Sequence, residues 1–391
     1  MNSNGLLTVS KKKTILSICL FIAIFGGLLA IASIFDLDIS RLLTKNSLPE
    51  GEYISVNGFA LFFEAVGCNA FYIMIAIAGA IAFWYGFASD NGKKKIVYMI
   101  IGAVIAVVAF FLLFKDAYSY VSEYIGARLS MDHGSNIGKA SELAGSMYVK
   151  LICVVGSLFT TLLLFGTWKN VSKEHNEVLI KWAYMIVCVV ACVLIIELIK
   201  NPVGRVRYRT MNYLGNFDLY TPWYQANGKR KLYDLVGADP TKPQYNFVSD
   251  ACKSFPSGHT FSAGLIYTLL ALPYLLPSCN KKGVRAALWC GTVAVVGTVA
   301  LSRIVAGAHF MSDVLMGGTI AFLSAMIMRE IFICKGAHFK VFAKAKEAGE
   351  ETEEEIAEAV AEEVVEESVE EKAEVSVEEQ ESEKEAKEVE E

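Results

Sequence analysis

Residues 179–208 read LIKWAYMIVCVVACVLIIELIKNPVGRVRY. The first 21 residues of this stretch are predominantly apolar, which is the length and composition of a helix that crosses a lipid bilayer. Charge follows at once, because Lys200, Arg205 and Arg207 lie within eight residues of one another. The stretch therefore predicts a transmembrane helix that ends in a cluster of cations at the membrane surface.

Seven other stretches have the same apolar character, and together they predict an all-α fold, a polytopic membrane bundle with about eight transmembrane helices. The chain is 54% hydrophobic and 20% charged, with a mean hydropathy of +0.42, a combination that soluble domains rarely show. A span needs roughly 17–25 mostly apolar residues. The predicted spans are residues 14–35, 67–88, 96–114, 147–168, 179–199, 259–277, 284–301 and 311–333.

Lysines and arginines in the short connections predict the orientation of these spans, because cytoplasmic loops carry an excess of both. If eight spans alternate, the basic clusters at 11–13, 93–95, 281–285 and 335–346 all fall on one side. We therefore predict a multi-pass protein of the cell (inner) membrane with both termini in the cytoplasm. The first span leaves two alternatives open, a retained anchor or a signal peptide cleaved near Ala30-Ile31-Ala32.

The charge is distributed unevenly along the chain. Residues 347–391 contain 22 Glu and 3 Lys, a net charge of −19, so the preceding residues carry +14 of the total of −5. Such a segment repels itself and is typical of a disordered tail, with a transient amphipathic helix as the alternative. We predict N-terminal spans with external loops over 1–145, a catalytic core over 146–334 and a cytoplasmic Glu-rich tail over 335–391.

The segment Ser254-Phe-Pro256-Ser257-Gly258-His259-Thr260 opens the sixth predicted span. Pro256 keeps the chain extended before Ser257, a residue type that caps the first turn of a helix. Gly258 allows backbone N–H groups to approach an anion closely, and a helix N-terminus favours negative charge. His259 would then lie within one turn of a bound phosphate, as a proton donor or as a structural histidine.

The segment Ser302-Arg303-Ile-Val-Ala-Gly-Ala-His309-Phe-Met-Ser-Asp313 connects the last two spans. His309 and Asp313 are four residues apart and therefore lie on one face of a helix. We expect Asp313 to accept the Nδ1–H of His309 and to leave Nε2 free to attack an electrophile. A carboxylate that enters lipid is costly unless it is paired, so a structural His–Asp pair is the alternative.

All three segments lie at the ends of predicted spans on the same, non-cytoplasmic face. Phosphoryl transfer needs fixed cations for the oxygens, a nucleophile in line with the leaving group and an acid that protonates it. The three segments supply those groups. For the cations that follow residue 199, anchoring of the span to lipid headgroups is the alternative to phosphate binding.

Taken together, the segments resemble the three signature motifs of the type 2 phosphatidic acid phosphatase superfamily. The first motif, Lys, six residues, Arg, Pro, is matched by Lys200 and Arg207, with Tyr208 in place of the proline. The second, Pro-Ser-Gly-His, is matched in full by residues 256–259. The third, Ser-Arg, five residues, His, three residues, Asp, is matched by Ser302, Arg303, His309 and Asp313. The resemblance covers about residues 179–333.

The resemblance implies how the substrate would be held. Lys200, Arg207 and Arg303 would bind the phosphate oxygens, and Ser257 with the Gly258 N–H would complete the cradle. These cations would do the work of a metal ion, and no carboxylate cluster is expected near the site to offer oxygen ligands. We therefore expect neither a metal nor another cofactor.

The resemblance also implies the catalytic roles. His309 would attack phosphorus to form a phosphohistidine, Asp313 would orient it, and His259 would protonate the leaving oxygen. This predicts a hydrolase, a metal-independent phosphatase that acts on a lipid phosphate monoester or diphosphate at the outer face of the membrane. Its partners are that lipid and the bilayer, with no nucleic acid. Candidate substrates are phosphatidic acid, phosphatidylglycerol phosphate, undecaprenyl diphosphate and a lipid A phosphate.

Two other classes of function stay open at this point. A lipid phosphotransferase would pass the same phosphoryl group to an alcohol instead of water. A non-catalytic phosphate-binding membrane protein would need only the cations, and neither an acid nor a nucleophile.

Overall fold

Helices form where the sequence is apolar over long stretches, because a helix satisfies every backbone N–H and C=O group within lipid. A computed structural model of the 391-residue chain describes residues 6–7, 11–129, 147–231 and 250–338, with no side-chain description for residues 11 and 121–129. These residues form α-helices, 3₁₀ segments and one π-helical segment at Glu330–Cys334, without a strand. The α-helices are α1 (Lys11–Thr44), α2 (Gly58–Val66), α3 (Asn69–Phe87), α4 (Gly92–Leu129), α5 (Met147–Trp168), α6 (Lys173–Ala191), α7 (Val193–Val203), α8 (Tyr208–Leu214), α9 (Gly258–Ala263), α10 (Lys282–Val305) and α11 (Met311–Arg329).

Seven helical stretches in the described residues are long and apolar enough to cross a membrane. They coincide with seven of the eight spans predicted from the sequence. The prediction of an all-α, multi-pass membrane protein is thus confirmed. The seven stretches are Lys12–Thr44, Gly58–Phe87, Gly92–Tyr120, Met147–Trp168, Lys173–Leu214, Lys282–Val305 and Met311–Cys334.

The remaining predicted span, residues 259–277, is not one long α-helix. The six-residue helix α9 is followed by 3₁₀ segments at Gly264–Tyr274 and Pro277–Asn280. Pro273 has no N–H to donate to an α-helical ladder. The carbonyl of Thr268 accepts a hydrogen bond from the indole N–H of Trp182 at 2.9 Å. A side chain of α6 therefore satisfies a carbonyl of this buried segment.

The chain divides into two units, residues 1–8 with 25–335 and residues 9–24 with 336–391. The first unit contains all the residues of the site, together with residues 25–44 of α1. The predicted region boundaries at 145/146 and 334/335 stay predictions, and residues 339–391 of the Glu-rich tail lie outside the described residues.

The core of the first unit lies where α3, α6, the 258–274 segment and α11 meet. Met185, Ile186, Phe261 and Leu265 are completely buried there. By contrast, many apolar side chains on the outer faces are exposed, such as Leu162 of α5 at 70%. This distribution suits a bundle whose interior is protein and whose surroundings are lipid.

Helices α3 and α4 approach each other closely at a pair of glycines. A Cβ atom added to Gly79 would lie 2.7 Å from the carbonyl oxygen of Gly102 and 2.9 Å from the backbone nitrogen of Ala106. Both neighbours are backbone atoms, so they cannot move aside as a flexible side chain does. Small residues at this crossing allow the two backbones to approach, as is common in membrane bundles.

Gly79→Ala is therefore expected to destabilise the protein by about 1–3 kcal/mol, because the methyl group forces α3 and α4 apart. Gly27→Ala is the matched control, since a Cβ at Gly27 of α1 would meet no described atom within 4 Å. We expect the control to change stability by no more than about 1 kcal/mol. Thermal unfolding of both variants in detergent measures the difference, and equal midpoints would contradict the close crossing.

Candidate active site

The three sequence motifs converge on one cavity of about 550 Å³. Six of the eight residues predicted from the sequence line it. The other two, Ser257 and Asp313, are fully buried behind its wall. The predicted residues that line the cavity are Lys200, Arg207, Gly258, His259, Arg303 and His309.

The first motif leaves α7 through a left-handed turn. Gly204 ends the helix at φ +53°, and a Cβ there would collide with the backbone of Gly228. Lys200, in the last turn of α7, pairs with Glu197 at 3.0 Å, and its Nζ lies 3.2 Å from where a Cβ of Gly258 would stand. The lysine ammonium therefore reaches the start of α9.

The second cation of that motif, Arg207, is paired with Asp250. Its Nη2 lies 2.8 Å from the carboxylate, and its Nε donates to the main-chain oxygen of the same residue at 3.0 Å. Burial would raise the pKa of Asp250, but the charges of Arg207 and Arg209 outweigh burial and hold that pKa below its ordinary value. Asp250 is therefore an anionic anchor for both arginines.

Ser257 caps α9, as its position in the sequence predicts. Its hydroxyl oxygen accepts from the Thr260 hydroxyl at 3.0 Å and from the Thr260 N–H at 3.4 Å. Its own N–H donates to the main-chain oxygen of Asp313 at 2.9 Å. These contacts tie the turn before α9 to the first turn of α11, and they occupy Ser257 away from the cavity.

His259 stands in the first turn of α9 and faces helices from the N-terminal part of the chain. Its Nε2 lies 3.3 Å from the carbonyl oxygen of Glu64, at the end of α2. Its ring meets the ring of Tyr120 edge-on, with the centroids 5.6 Å apart. The imidazole is therefore held by α2 and α4, neither of which belongs to the three motifs.

His309 precedes α11 and is oriented differently from the sequence-based expectation. Its Nδ1 lies 2.6 Å from the main-chain oxygen of Ser254, while the nearest oxygen of Asp313 is 3.7 Å away. A carbonyl can only accept, so Nδ1 carries the proton and the lone pair of the neutral ring is on Nε2. The expected tautomer is retained, but the partner that orients the ring is Ser254 and not Asp313.

Asp313 supports His309 indirectly, through Ser254. Its carboxylate accepts from Arg205 Nη1 at 2.6 Å, from the Ser254 hydroxyl at 2.5 Å and from the Phe310 N–H at 2.8 Å. It therefore anchors the residue whose carbonyl holds His309. The expected contact between His309 and Asp313 requires both residues to lie in one helix. His309 instead precedes the helix, which begins at Met311, so its ring contacts Ser254.

Arg205 of the first motif does not line the cavity. It is fully buried, and it donates to Asp313, to Asp36 of α1 at 2.9 Å and to the main-chain oxygen of Thr221 at 2.8 Å. Its guanidinium lies over the Phe310 ring at 4.1 Å. Asp36 also accepts from the N–H and the hydroxyl of Ser312. Asp36 directly follows the first predicted span, with Asp38 two residues later, and a carboxylate at the membrane boundary was the sequence signal for this partner.

Burial lowers the pKa of His309 well below its ordinary value, and the charges of Arg207, Arg303 and Lys200 lower it further. The ring is therefore neutral at physiological pH. A neutral imidazole has the lone pair that a nucleophile needs.

Sequence reasoning missed several residues of the cavity wall. The partners of Glu64 and Asp250 are distant in the chain, so no local pattern pointed to these two residues. Glu64 pairs with Arg303 at 2.9 Å and with Arg209 at 3.1 Å. The additional lining residues with ionisable side chains are Tyr53, Glu64, Asp116, Tyr120, Glu197, Arg209, Asp250 and Lys253.

Four carboxylates line the cavity, a feature that the motifs did not predict. Glu64, Glu197 and Asp250 are each paired with an arginine or lysine, because cations gathered at one buried site need compensating charge. In the described part of the chain, no three of the four bring their oxygens close enough together to share one metal ion.

Residues 181–333 match the family model of the PAP2 superfamily. Over this segment, the chain is similar to members of that superfamily. The PAP2 segment contains all three motifs and all eight residues predicted from the sequence. Asp36 and Glu64, which contact the motifs, lie before it.

Three curated proteins are similar to parts of this chain. The lipid A 1-phosphatase of Rhizobium johnstonii is 24% identical over 193 residues, 47% of this chain and 65% of that protein. The lipid A 1-phosphatase of Rhizobium etli is 26% identical over 165 residues, 41% of this chain and 56% of that protein. Phosphatidylglycerophosphatase B of Bacillus subtilis is 33% identical over 84 residues, 21% of this chain and 40% of that protein. The chain thus aligns with less than two thirds of each relative, and no solved structure matches it significantly.

Arg205→Met is expected to destabilise the protein by about 3–5 kcal/mol, because it leaves the carboxylates of Asp36 and Asp313 buried without a cation. Arg41→Met is the matched control, since its ion pair with Asp38 is exposed. That pair is worth at most about 1 kcal/mol. Denaturation of the two variants in detergent gives the comparison, and a small effect at Arg205 would show that the network does not support the fold.

Proposed function

We propose that this protein is an integral-membrane phosphatase that hydrolyses a lipid phosphate monoester or diphosphate through a phosphohistidine on His309. One observation carries the proposal. The His309 ring is held by the Ser254 carbonyl at 2.6 Å, in a cavity that it shares with a second histidine and with the three motif cations. A nucleophile, an acid and anion-binding groups thus line one space, as phosphoryl transfer requires.

The motif cations would bind the phosphate oxygens. Arg303 is 1% exposed, and its buried Nε and Nη1 have no hydrogen-bond partner among the described residues. A buried guanidinium N–H without an acceptor is costly, and a phosphate oxygen is a strong acceptor. Lys200 and Arg207 line the same cavity, and the Gly258 backbone is next to the lysine ammonium. Ser257 would contribute to phosphate binding indirectly, by capping the first turn of α9.

The reaction would proceed in two displacements. In the first, the Nε2 lone pair of His309 attacks phosphorus, the bond to the leaving oxygen breaks, and protonated His259 gives that oxygen its proton. In the second, water attacks the phosphohistidine, neutral His259 takes up a proton from it, and the P–N bond breaks. Inorganic phosphate leaves and both histidines return to their starting state. Asp313 acts throughout by holding Ser254.

The lipid class of substrate is supported by the position of the cavity and by the relatives. The motif residues that line it lie at or just beyond the ends of α7, α9, α10 and α11, where a lipid would present its phosphate while its tail stays in the bilayer. The relatives are named as phosphatases of lipid A and of phosphatidylglycerophosphate. By the distribution of Lys and Arg, the cavity would open on the outer face, with both termini in the cytoplasm.

Metal independence is supported by the charges around the cavity. Five cations line it, and three of the four carboxylates are already paired with them. The cations supply the positive charge that a metal ion would otherwise bring to the phosphoryl group.

His309→Ala should abolish phosphate release from a lipid phosphate, because no other group replaces the nucleophile. We expect a fall of at least about 10³-fold in kcat, with the unfolding midpoint little changed. The assay uses purified protein in detergent with EDTA and a panel of lipid phosphates. His175→Ala, at an exposed position, is the control and should retain activity. Phosphate release by His309→Ala would remove the nucleophile assignment, and loss of wild-type activity in EDTA would remove metal independence.

The depressed pKa of His309 predicts the acid side of the pH profile. Protonation removes the Nε2 lone pair, so activity is lost only when the pH falls through the lowered pKa. The acid limb of kcat/KM should therefore lie well below pH 6.5, the ordinary value for histidine. A limb at pH 6.5 or above would mean that the nucleophile is not the buried ring of His309.

A further inference from the structure

Glu64 connects two residues to which the proposed function assigns different tasks. One carboxylate oxygen, Oε1, accepts from Arg303 Nη2 at 2.9 Å and from Arg209 Nη1 at 3.1 Å. The main-chain oxygen of the same residue lies 3.3 Å from Nε2 of His259. Glu64 belongs to α2, outside the PAP2 segment, and no motif of the sequence includes it.

We propose that Glu64 is a positioning residue of the active site, whose carboxylate fixes Arg303 and Arg209 in the cavity wall and whose carbonyl orients His259. The proposal rests on the proposed function for the tasks of Arg303 and His259. The contacts themselves do not depend on it.

The carboxylate is needed because two guanidinium groups share one oxygen. Without that charge, Arg303 and Arg209 would repel each other in a buried wall. Both side chains are buried, at 1% and 8% exposure, so neither is free to turn into solvent. With Glu64 in place, Arg303 keeps Nε and Nη1 for an anion.

The same contact acts on the proton of His259. A carbonyl oxygen at Nε2 accepts the N–H of the charged ring, and a nearby carboxylate favours the charged form. Burial and the charges of Arg303 and His309 oppose this effect, and together they lower the pKa of His259 well below its ordinary value. An anionic phosphate beside the ring would favour the charged form, as Glu64 does. Glu64 is the anionic side chain paired with Arg303, whereas Arg209 has a second anionic partner in Asp250. The groups that face His259 from the elements around it are Glu64 of α2, Tyr120 of α4, Lys200 of α7, Arg303 of α10 and His309 before α11.

Glu64→Gln and Glu64→Asp separate these effects in the full-length protein. Glutamine removes the charge and keeps the length, whereas aspartate keeps the charge on a shorter side chain. The substrate is dioleoyl phosphatidic acid in detergent micelles, and kcat and KM are measured across the pH range. Glu174→Gln, an exposed glutamate at the start of α6, is the matched control.

We expect Glu64→Gln to lower kcat by at least about tenfold without raising KM, because alignment is lost while the cavity becomes more positive. The basic limb of its kcat profile should move to lower pH, since His259 loses its proton more readily. Glu64→Asp should restore that limb towards the wild type. A purely structural role would instead lower the unfolding midpoint and leave the limb in place.

A wild-type kcat and an unshifted basic limb in Glu64→Gln would overturn the proposal, and so would a raised KM with unchanged kcat. If Glu64→Gln does not fold, Glu64→Asp is compared with the uncharged variant Glu64→Ala. A basic limb that shifts as far in Glu64→Asp as in Glu64→Ala would contradict the proposal.

Titration of the folded protein with inorganic phosphate gives a readout that needs no turnover. Glu64→Gln should bind phosphate at least as tightly as the wild type, and weaker binding would contradict the proposal. Absence of phosphate release by the wild type would instead count against the proposed function alone.

Discussion

Arg205 has no exposure to solvent, and each of its three side-chain nitrogens donates to an acceptor from a different part of the chain. A buried guanidinium is stable only if its charge and its N–H groups are all satisfied. This requirement brings α1, the loop before α9 and the start of α11 to one point. Through Asp313 and Ser254 the same point holds His309. The placement of the proposed nucleophile thus depends on a cation that does not line the cavity.

The cations of the cavity wall also need partners of opposite charge. Cations gathered in one buried wall would repel each other, so most of them are paired with carboxylates such as Glu64 and Asp250. The pairs hold the cations in defined positions before any anion arrives, which is the preorganisation that electrostatic stabilisation of a reaction needs. Arg303 shows how both demands are met, because one of its nitrogens is paired while two stay without a partner among the described residues.

The N-terminal helices are therefore more than a membrane anchor for the PAP2 segment. Asp36 of α1 compensates the buried arginine, and Glu64 of α2 contacts both a motif arginine and a motif histidine. Tyr120 of α4 adds an aromatic wall beside that histidine. The site is completed by residues that lie 139 to 276 positions before the motif residues that they contact. Their contribution explains why the family motifs alone describe the groups of the site but not how the groups are held.

The sequence by itself determined the membrane helices and the chemical groups of the site. Seven of eight spans follow from the length of their apolar stretches, and the motif residues follow from their order and spacing, because both are local properties of the chain. Tertiary structure alone decided that Ser254 and not Asp313 contacts His309, that Arg205 faces inward, and that carboxylates line the cavity. It also replaced the span at 259–277 by short helical segments, one of whose carbonyls bonds to Trp182. The physical reason is the same in each case: a buried charge or polar group takes whichever partner the packing of distant helices brings within reach, and no local pattern records that choice.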